Sequence, residues 1–293
     1  MNKKVAVFGG TGFIGSYVVE ELLKRNYEVI AADIKKTKYI PDEIFAQCDI
    51  LDPLRVEEIV SQVDIVYNLA GFANLDDAVA NPVETIKLNV MGNLHILDAS
   101  RKQKIERFVY ASSAYAMSDK GSFYGISKLT SEKLIEEYYK KFGLRFTIIR
   151  YGSVYGERDF YNNYIYNLLK KAYKTGKIEH HGDGEEVREY IHVEDVAKLS
   201  VDIIESEKFV NEHIILTGYE RMKRKELFEM IKEMMGGNIE IILKKSDEGN
   251  HYKYTPYSFT PKRSKKLIAN PHIDMGQGLL ECLNDIERHN NGE

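Results

Sequence analysis

Glycines at positions 9, 10, 12 and 15 separate a short apolar run from an amphipathic stretch, and this pattern constrains the fold more than any other feature. The run Lys4–Phe8 predicts a β-strand, and residues 13–26 predict a helix. In dinucleotide-binding folds, such glycines let backbone N–H groups approach a pyrophosphate at the helix N-terminus. We therefore predict a dinucleotide site, whose first residues are Gly9, Gly12, Phe13, Ile14 and Gly15.

A second predicted strand, residues 28–32, leads into Asp33, eighteen residues after Gly15. A carboxylate at this place can accept hydrogen bonds from both hydroxyls of the adenosine ribose, and it would repel a 2′-phosphate. This favours NAD over NADP, and it makes an ordinary tight turn a weaker explanation of the glycines. Lys35 and Lys36 leave NADP as the alternative, because a basic pair could neutralise a phosphate.

Strand and helix signals continue to alternate as far as about residue 156. Further strands are predicted at residues 44–48, 64–69, 107–111, 145–150 and 213–216, and helices after Asp52 and at residues 83–101, 124–142 and 225–235. This alternation predicts an α/β fold, a Rossmann-type doubly wound parallel sheet with helices on both faces. We assign residues 1–156 to the NAD-binding domain and residues 157–293 mainly to a smaller, interwoven substrate lobe.

The charge, the cysteine count and the apolar runs limit which partners and which cellular compartment we expect for the protein. A net charge of −4 over 293 residues gives no reason to expect nucleic acid or an anionic membrane surface as a partner. Two cysteines cannot form a disulfide framework, and no apolar run approaches the length of a membrane span. Because the N-terminus leads directly into the first strand without a signal peptide, we predict a cytoplasmic protein.

Polar residues follow the predicted strand at residues 107–111. Ser112 and Ser113 lie where ligands bind in doubly wound sheets, and Tyr124 and Lys128 lie on one face of the next helix. The lysine ammonium would lower the pKa of the tyrosine so that it acts as base and acid, while Ser113 stabilises the same substrate oxygen. A chance Tyr-x-x-x-Lys pair is the alternative, but the surrounding motifs favour a catalytic set for hydride transfer between a C–OH group and nicotinamide.

With these motifs in place, the sequence resembles the extended short-chain dehydrogenases/reductases, in the NAD-dependent sugar-nucleotide epimerase/dehydratase family. The resemblance runs from Lys4 to about Ala197 and continues more weakly beyond. It rests on the order of motifs at residues 9–15, 33, 49–50, 68–71, 89–92, 112–113, 124–128, 150–156 and 182–197. It implies NAD as the cofactor and a nucleoside diphosphate sugar as the substrate.

The resemblance also implies a role for each matching position. The implied cofactor contacts beyond the glycine loop are Asp33, Asp49, Ile50, Leu69, Ala70, Gly71, Asn89, Tyr124, Lys128, Tyr151 and Val154. The implied substrate contacts are Ser112, Ser153, Asn162, Asn163 and Arg188, with Arg188 holding the diphosphate. Three alternatives stay open: Asp49 as a turn residue, the two asparagines as ordinary loop residues, and Arg188 as the ion-pair partner of Glu186 or Glu189.

Other polar groups are interpreted more simply. His180, His181 and His192 lack a ligand spacing such as Glu-x-x-His, so we predict no metal site. The segment HYKYTPYSF, residues 251–259, could line a sugar or base pocket, or it could pack within the lobe.

Two departures from the family pattern bear on the reaction. The segment between Ser113 and Tyr124 is short, although many relatives use a longer stretch here to cover the sugar. Ala114 and Tyr115 stand where the 4,6-dehydratases carry an Asp-Glu acid/base pair. The absence of that pair disfavours dehydration.

We therefore predict an NAD-dependent epimerase of a nucleoside diphosphate sugar that oxidises C4 transiently to a keto sugar. The alternatives are a net oxidoreductase (a 4-keto reductase or a 4-dehydrogenase), a 4,6-dehydratase, and an NAD-binding regulatory protein without catalysis. The resemblance further implies a homodimer, formed through helices at residues 83–101 and 124–142.

Overall fold

The alternating apolar runs form one parallel sheet, as the pattern predicts. The structure, a computed structural model, describes residues 3–118, 120–244 and 265–291. Within these residues the main sheet has eight strands: β1 (Lys4–Phe8), β2 (Glu28–Asp33), β3 (Phe45–Gln47), β4 (Ile65–Asn68), β5 (Arg107–Ser113), β6 (Phe146–Tyr151), β11 (Glu212–Leu216) and β14 (Lys265–Leu267). Their order is β14-β11-β6-β5-β4-β1-β2-β3, with every neighbouring pair parallel. The direction of winding reverses between β1 and β4, where such sheets open a crevice for ligands.

Helices cover both faces of this sheet. They are α1 (Phe13–Lys24), α2 (Pro53–Val60), α3 (Leu75–Ala80), α4 (Pro82–Ile86), α5 (Asn93–Gln103), α6 (Ser122–Phe142) and α8 (Val193–Ile204). The apolar residues of α1 and α8 join one core, and those of α2, α5 and α6 join another. Strands β4 and β6 are buried along their whole length and are mainly apolar, because each face of the sheet meets a helical layer.

The helix predicted at residues 83–101 is not a uniform α-helix. Between α4 and α5 the segment Lys87–Gly92 takes the wider turn of a π-helix. Such turns often occur at functional sites. Here the segment contains the buried side chain of Asn89. Apolar periodicity predicts that a helix is present, but it does not reveal a local change in the hydrogen-bond ladder.

The chain beyond residue 156 contributes to both parts of the molecule. Its own elements are β8 (Lys177–His181), β9 (Val187–Arg188), β10 (Tyr190–His192), β12 (Met222–Lys223), β13 (Glu240–Lys244), α7 (Tyr164–Thr175), α9 (Arg224–Met234) and α10 (Met275–Asn291). Together with β7 (Ser153–Tyr155) these strands form three small pairs: β7–β10, β8–β13 and β9–β12. Apolar residues of α7, α9 and α10 make a third core, while α8, β11 and β14 return to the main sheet. No described helix has the length and apolar character to cross a membrane.

Candidate active site

A cleft of about 440 Å³ lies at the carboxyl ends of the central strands, beside the reversal in strand order. Most of the residues predicted for the site line it: Gly9, Gly12, Phe13, Ile14, Gly15, Asp33, Asp49, Ile50, Leu69, Ala70, Gly71, Ser112, Ser113, Tyr124, Lys128, Tyr151, Val154 and Asn162. Asn89, Ser153, Asn163 and Arg188 are not among its lining residues. The cleft therefore brings the glycine loop and the Ser-Tyr-Lys set together.

The glycine loop is packed too closely for larger residues. Gly9 has a φ of +78°, and a Cβ added there would lie 2.6 Å from the backbone nitrogen of Ala70. A Cβ at Gly15 would lie 2.0 Å from the carbonyl oxygen of Gly9. Helix α1 begins after Gly12 without a side-chain cap, so backbone N–H groups of its first turn are available to phosphate oxygens. This cradle fits the pyrophosphate of NAD.

Asp33 ends strand β2 beside the glycine loop. Its carboxylate accepts hydrogen bonds from the backbone N–H of Thr11, at 3.2 Å, and of Ile34, at 2.8 Å. These bonds hold the carboxylate at the mouth of the cleft, where the ribose of an adenosine is expected. The side chain of Asp49 is exposed and accepts from the backbone N–H of Leu51, as the turn alternative requires, although Asp49 also lines the cleft.

Replacing Asp33 with Asn should change cofactor preference. Loss of the charge weakens the hydrogen bonds to the ribose hydroxyls and removes the repulsion of a 2′-phosphate, so we expect about 10- to 100-fold weaker NAD binding and improved NADP binding. Titration calorimetry with both dinucleotides measures the ratio of dissociation constants. Glu28→Gln, at the exposed start of the same strand, is the matched control. An unchanged ratio in Asp33→Asn would show that Asp33 does not select the cofactor.

Tyr124 and Lys128 lie on helix α6, next to the end of β5. The Nζ of Lys128 donates a 2.9 Å hydrogen bond to the carbonyl oxygen of Ala111 and lies 5.8 Å from the centre of the Tyr124 ring. Burial lowers the pKa of Lys128 to about 8, against the opposing effect of the Glu132 carboxylate. Lys128 therefore stays mainly cationic at neutral pH, in a position to stabilise a phenolate.

Asn89 joins the loop after β4 to the catalytic helix. Its Oδ1 accepts from the backbone N–H of Phe72 at 2.6 Å, and its Nδ2 donates to the carbonyl oxygen of Phe72 at 3.0 Å and to Ser127 Oγ at 2.9 Å. The hydroxyl of Ser131 also donates to the carbonyl oxygen of Asn89, at 2.7 Å. Asn89 thus positions the loop that lines the cofactor cleft, and it acts through these neighbours.

A buried charge cluster lies behind the site, and sequence analysis did not find it. Glu132, on α6, accepts two hydrogen bonds from Arg150, at 2.9 Å from Nε and 2.6 Å from Nη2, and one of 2.5 Å from the hydroxyl of Ser112. Burial opposes ionisation of Glu132, but the hydrogen bonds from Arg150 and Ser112 and the charge of Arg150 hold its pKa at about 2. Ser112 therefore lines the cleft with its hydroxyl directed to Glu132.

The orientation of His213 in this cluster follows from its partners. Arg150 can only donate, so Nδ1 of His213, 3.0 Å from Arg150 Nη2, is the acceptor. The proton of a neutral ring is then on Nε2, which donates to Glu136 at 3.0 Å. The sequence contains one indication that Glu132 lies near the site: it is four residues after Lys128, on the same face of the predicted helix.

The predicted substrate residues have different surroundings. Asn162 lines the cleft, whereas Asn163 is buried and its amide donates to the carbonyl oxygens of Gly156, Glu157 and Arg158. Ser153 pairs with Tyr190 between strands β7 and β10. Arg188 is buried and donates to the carbonyl oxygen of Val187 at 2.9 Å. The substrate roles of these residues remain predictions, and the segment 251–259 lies outside the described residues.

The short segment after Ser113 turns back onto the catalytic helix. Residues Ala114–Met117 form a single 3₁₀ turn, and the ring of Tyr115 packs edge-on against that of Tyr124, with centres 6.3 Å apart. Gly121, with a φ of +109°, leaves room for the Tyr115 ring. An aromatic side chain therefore stands beside Tyr124, the predicted catalytic tyrosine, where the resemblance would place the acidic pair of a dehydratase.

Among the described residues, one group of side chains could hold a metal ion. Glu157, His192 and Glu281 place their ligand atoms within 4.8 Å of one another. The cluster contains no residue of the predicted catalytic set. His192 is one of the three histidines for which the sequence predicts no metal site, and that absence stays a prediction.

A Rossmann-type sheet whose cleft combines a glycine loop, an acidic residue at the end of β2 and a Ser-Tyr-Lys set is typical of the extended short-chain dehydrogenase/reductase class. The model of the NAD dependent epimerase/dehydratase family matches residues 5–218. The chain belongs to this family, and it is an NAD-dependent enzyme.

Similar proteins match nearly the whole length of the chain. A putative UDP-glucose 4-epimerase of Methanocaldococcus jannaschii is 30% identical, over 98% of this chain and 99% of that protein. A UDP-N-acetyl-alpha-D-glucosaminuronate decarboxylase of Bacillus cytotoxicus is 28% identical, over 97% of each chain. The crystal structure of a UDP-glucose 4-epimerase from Thermotoga maritima with UDP-glucose has a TM-score of 0.84 and 26% identity, covering 98% of this chain and 99% of that one. The relatives thus act on nucleotide sugars by more than one reaction.

Proposed function

We propose that the protein is an NAD-dependent epimerase of a nucleoside diphosphate sugar that acts through transient oxidation at C4. The observation that carries this proposal is that Ser113, Tyr124 and Lys128 line the same cleft as the glycine loop and Asp33. A hydroxyl, a phenol and an ammonium beside a nicotinamide site are the groups that oxidation of a C–OH requires. The similarity to 4-epimerases supports the substrate class.

Each of these residues has a defined task in the proposed reaction. Tyr124 removes the proton of the sugar hydroxyl. It returns the proton after the keto sugar has rotated in the cleft and presented its other face to the cofactor. Lys128, held by the carbonyl of Ala111, stabilises the phenolate form of Tyr124. Ser113 donates a hydrogen bond to the same sugar oxygen while its charge changes. The chemistry that bound NAD supplies is reversible acceptance of a hydride from the sugar carbon.

The residues after Ser113 favour epimerisation over dehydration. Elimination of water needs an acid and a base positioned at neighbouring carbons of the sugar. Ala114 is buried and carries no titratable group, and the ring of Tyr115 packs on Tyr124. Epimerisation needs no proton transfer beyond the one that Tyr124 performs.

A panel of UDP-, dTDP-, GDP- and CDP-sugars tests the proposal, with NMR to identify products and absorbance to detect NADH. A new sugar stereoisomer without accumulated NADH is the expected result, and the responding nucleotide identifies the substrate class. A released keto sugar with stoichiometric NADH would instead show a dehydrogenase or a reductase operating in reverse. A panel without any product would contradict the proposal for these four nucleotides.

We also propose that the active protein is a homodimer. Helices α4 and α6 expose apolar side chains that a soluble monomer would not need, including Val83, Phe123 and Ile126, the last 58% exposed. Burying these helices against a second copy would remove this surface from water. Ile126→Glu should therefore lower the molar mass measured by light scattering from that of a dimer to that of a monomer. Lys141→Glu, exposed at the end of α6, should leave the mass unchanged, and a wild-type mass of one chain would contradict the dimer.

A further inference from the structure

Arg224 is a cation without an anion in the described part of the chain. It is the first residue of α9, half-buried, and its Nε is excluded from solvent without a hydrogen-bond partner. The guanidinium stacks on the ring of Tyr164, with its carbon 4.5 Å from the ring centre. Stacking on an aromatic face favours a cation but leaves its N–H donors unused. A half-buried guanidinium that makes no charged hydrogen bond is costly unless an anion reaches it.

Two contacts connect Arg224 to the substrate side of the cleft. Tyr164 lies two residues after Asn162, which lines the cleft. Tyr115, another neighbour of Arg224, packs its ring against that of Tyr124. Arg224 does not itself line the cleft, but its neighbours lie next to the cleft residues Asn162 and Tyr124.

The ribbon of β9 and β12 brings a second arginine to the same region. Arg188 pairs across this ribbon with Met222, and Arg224 lies two residues further along the chain. Arg224 begins α9 directly after β12 ends, so the ribbon brings the backbones of Arg188 and Arg224 close together. Two arginines at this distance along the chain and across the ribbon add positive charge to one region, which favours binding of an anion.

Among the described residues, Glu186 is the carboxylate that could pair with Arg224 in place of a ligand. One carboxylate oxygen of Glu186 lies 3.2 Å from Nε2 of His180, and this carboxylate forms no ion pair with Arg224 within 4.0 Å. The backbone N–H of Arg224 donates to the carbonyl oxygen of Glu186, at 3.0 Å, which fixes the start of α9 without using the side chain. The backbone thus anchors this helix end, and the guanidinium is left for a ligand.

We propose that Arg224 binds an anionic group of the nucleotide sugar and is a substrate-binding residue additional to Arg188. This inference rests on the proposed substrate class but not on the proposed reaction. Two groups of such a substrate have the required chemistry, namely the diphosphate and a carboxylate on the sugar.

Titration calorimetry on the full chain saturated with NAD tests this, with UDP, UDP-glucuronate and inorganic pyrophosphate as probes. Arg224→Met keeps the length of the side chain and removes the charge, and we expect about tenfold or greater weakening. If the variant binds UDP and pyrophosphate more weakly than the wild type does, the anion is the diphosphate. If only the binding of UDP-glucuronate is weaker, the anion is the sugar carboxylate. Arg224→Lys should recover part of the affinity. Arg221→Met, an exposed arginine three residues earlier, is the matched control and should bind as wild type.

The melting temperature of the ligand-free protein separates binding from a structural role. Since no described carboxylate forms an ion pair with Arg224, Arg224→Met should melt at the wild-type temperature or higher. A lower melting temperature, together with a similar loss in Glu186→Gln, would assign Arg224 to a structural pair and overturn the proposal. Unchanged affinity of the variant for all three probes, or no binding of any probe to the wild type, would also overturn it. Because no turnover is measured, these outcomes are independent of whether the enzyme is an epimerase.

Discussion

Replacing Tyr124 with Phe should lower kcat by about 10²- to 10⁴-fold, the range that a positioned acid/base residue typically contributes. The variant loses only a hydroxyl, so its ring can still pack against Tyr115. We therefore expect unchanged NAD affinity and melting temperature, with the loss confined to the chemical step. Initial rates on the substrate that the sugar panel selects measure this effect.

A second tyrosine on the same helix provides the control for this experiment. Tyr139 is 41% exposed near the end of α6, and Tyr139→Phe should retain the wild-type rate. A Tyr124→Phe enzyme that turns over its substrate at the wild-type rate would refute the catalytic role of Tyr124. A loss of rate accompanied by loss of NAD binding would instead indicate a role in holding the cofactor.

Replacing Glu132 with Ala should have the largest effect on stability, about 3–5 kcal/mol, because it leaves Arg150 charged and buried without its partner. The hydroxyl of Ser112 loses its acceptor in the same change. Urea unfolding followed by circular dichroism measures the free energy of unfolding, since the chain has no tryptophan to report by fluorescence. Glu137→Ala, which removes an exposed partner of Lys140 on the same helix, should cost less than about 1 kcal/mol.

The effect of Glu132 should also depend on pH. Its pKa is about 2 in the folded protein and near 4.5 when unperturbed, so its contribution is present above about pH 4.5 and is lost as the pH falls towards 2. The difference between wild type and Glu132→Ala should shrink over that window. The double variant Glu132→Leu, Arg150→Met should recover stability, because neither charge remains buried alone. Equal losses in Glu132→Ala and Glu137→Ala would contradict this account of the cluster.

The parts of the site that could be predicted are those defined by short spacings. Gly9, Gly12 and Gly15 are separated by three residues each, and Tyr124 and Lys128 by four. Such spacings act within one turn or along one helix face, so they can be interpreted without knowledge of the tertiary fold. The structure places all five in the wall of one cleft.

Other residues could not be assigned in this way. Asn162 and Asn163 are adjacent and identical, yet one lines the cleft and the other holds backbone carbonyls of its own loop. Arg224 stands in the basic stretch Lys223-Arg224-Lys225, where the sequence contains nothing to separate it from solvated surface charges. The direction of a loop side chain and the burial of a helix end depend on neighbours from other segments.

The sequence by itself determined the alternation that leads to a parallel sheet, and it was enough to predict the dinucleotide unit and the Ser-Tyr-Lys set. Each of these depends on local periodicity or on a few neighbouring residues. Only the tertiary structure decided that Glu132, Arg150 and His213 meet behind the active site, and that Asn89 ties a loop to the catalytic helix. The physical reason is that buried polar groups find their partners across strands and helices far apart in the chain, where no spacing in the sequence indicates the contact.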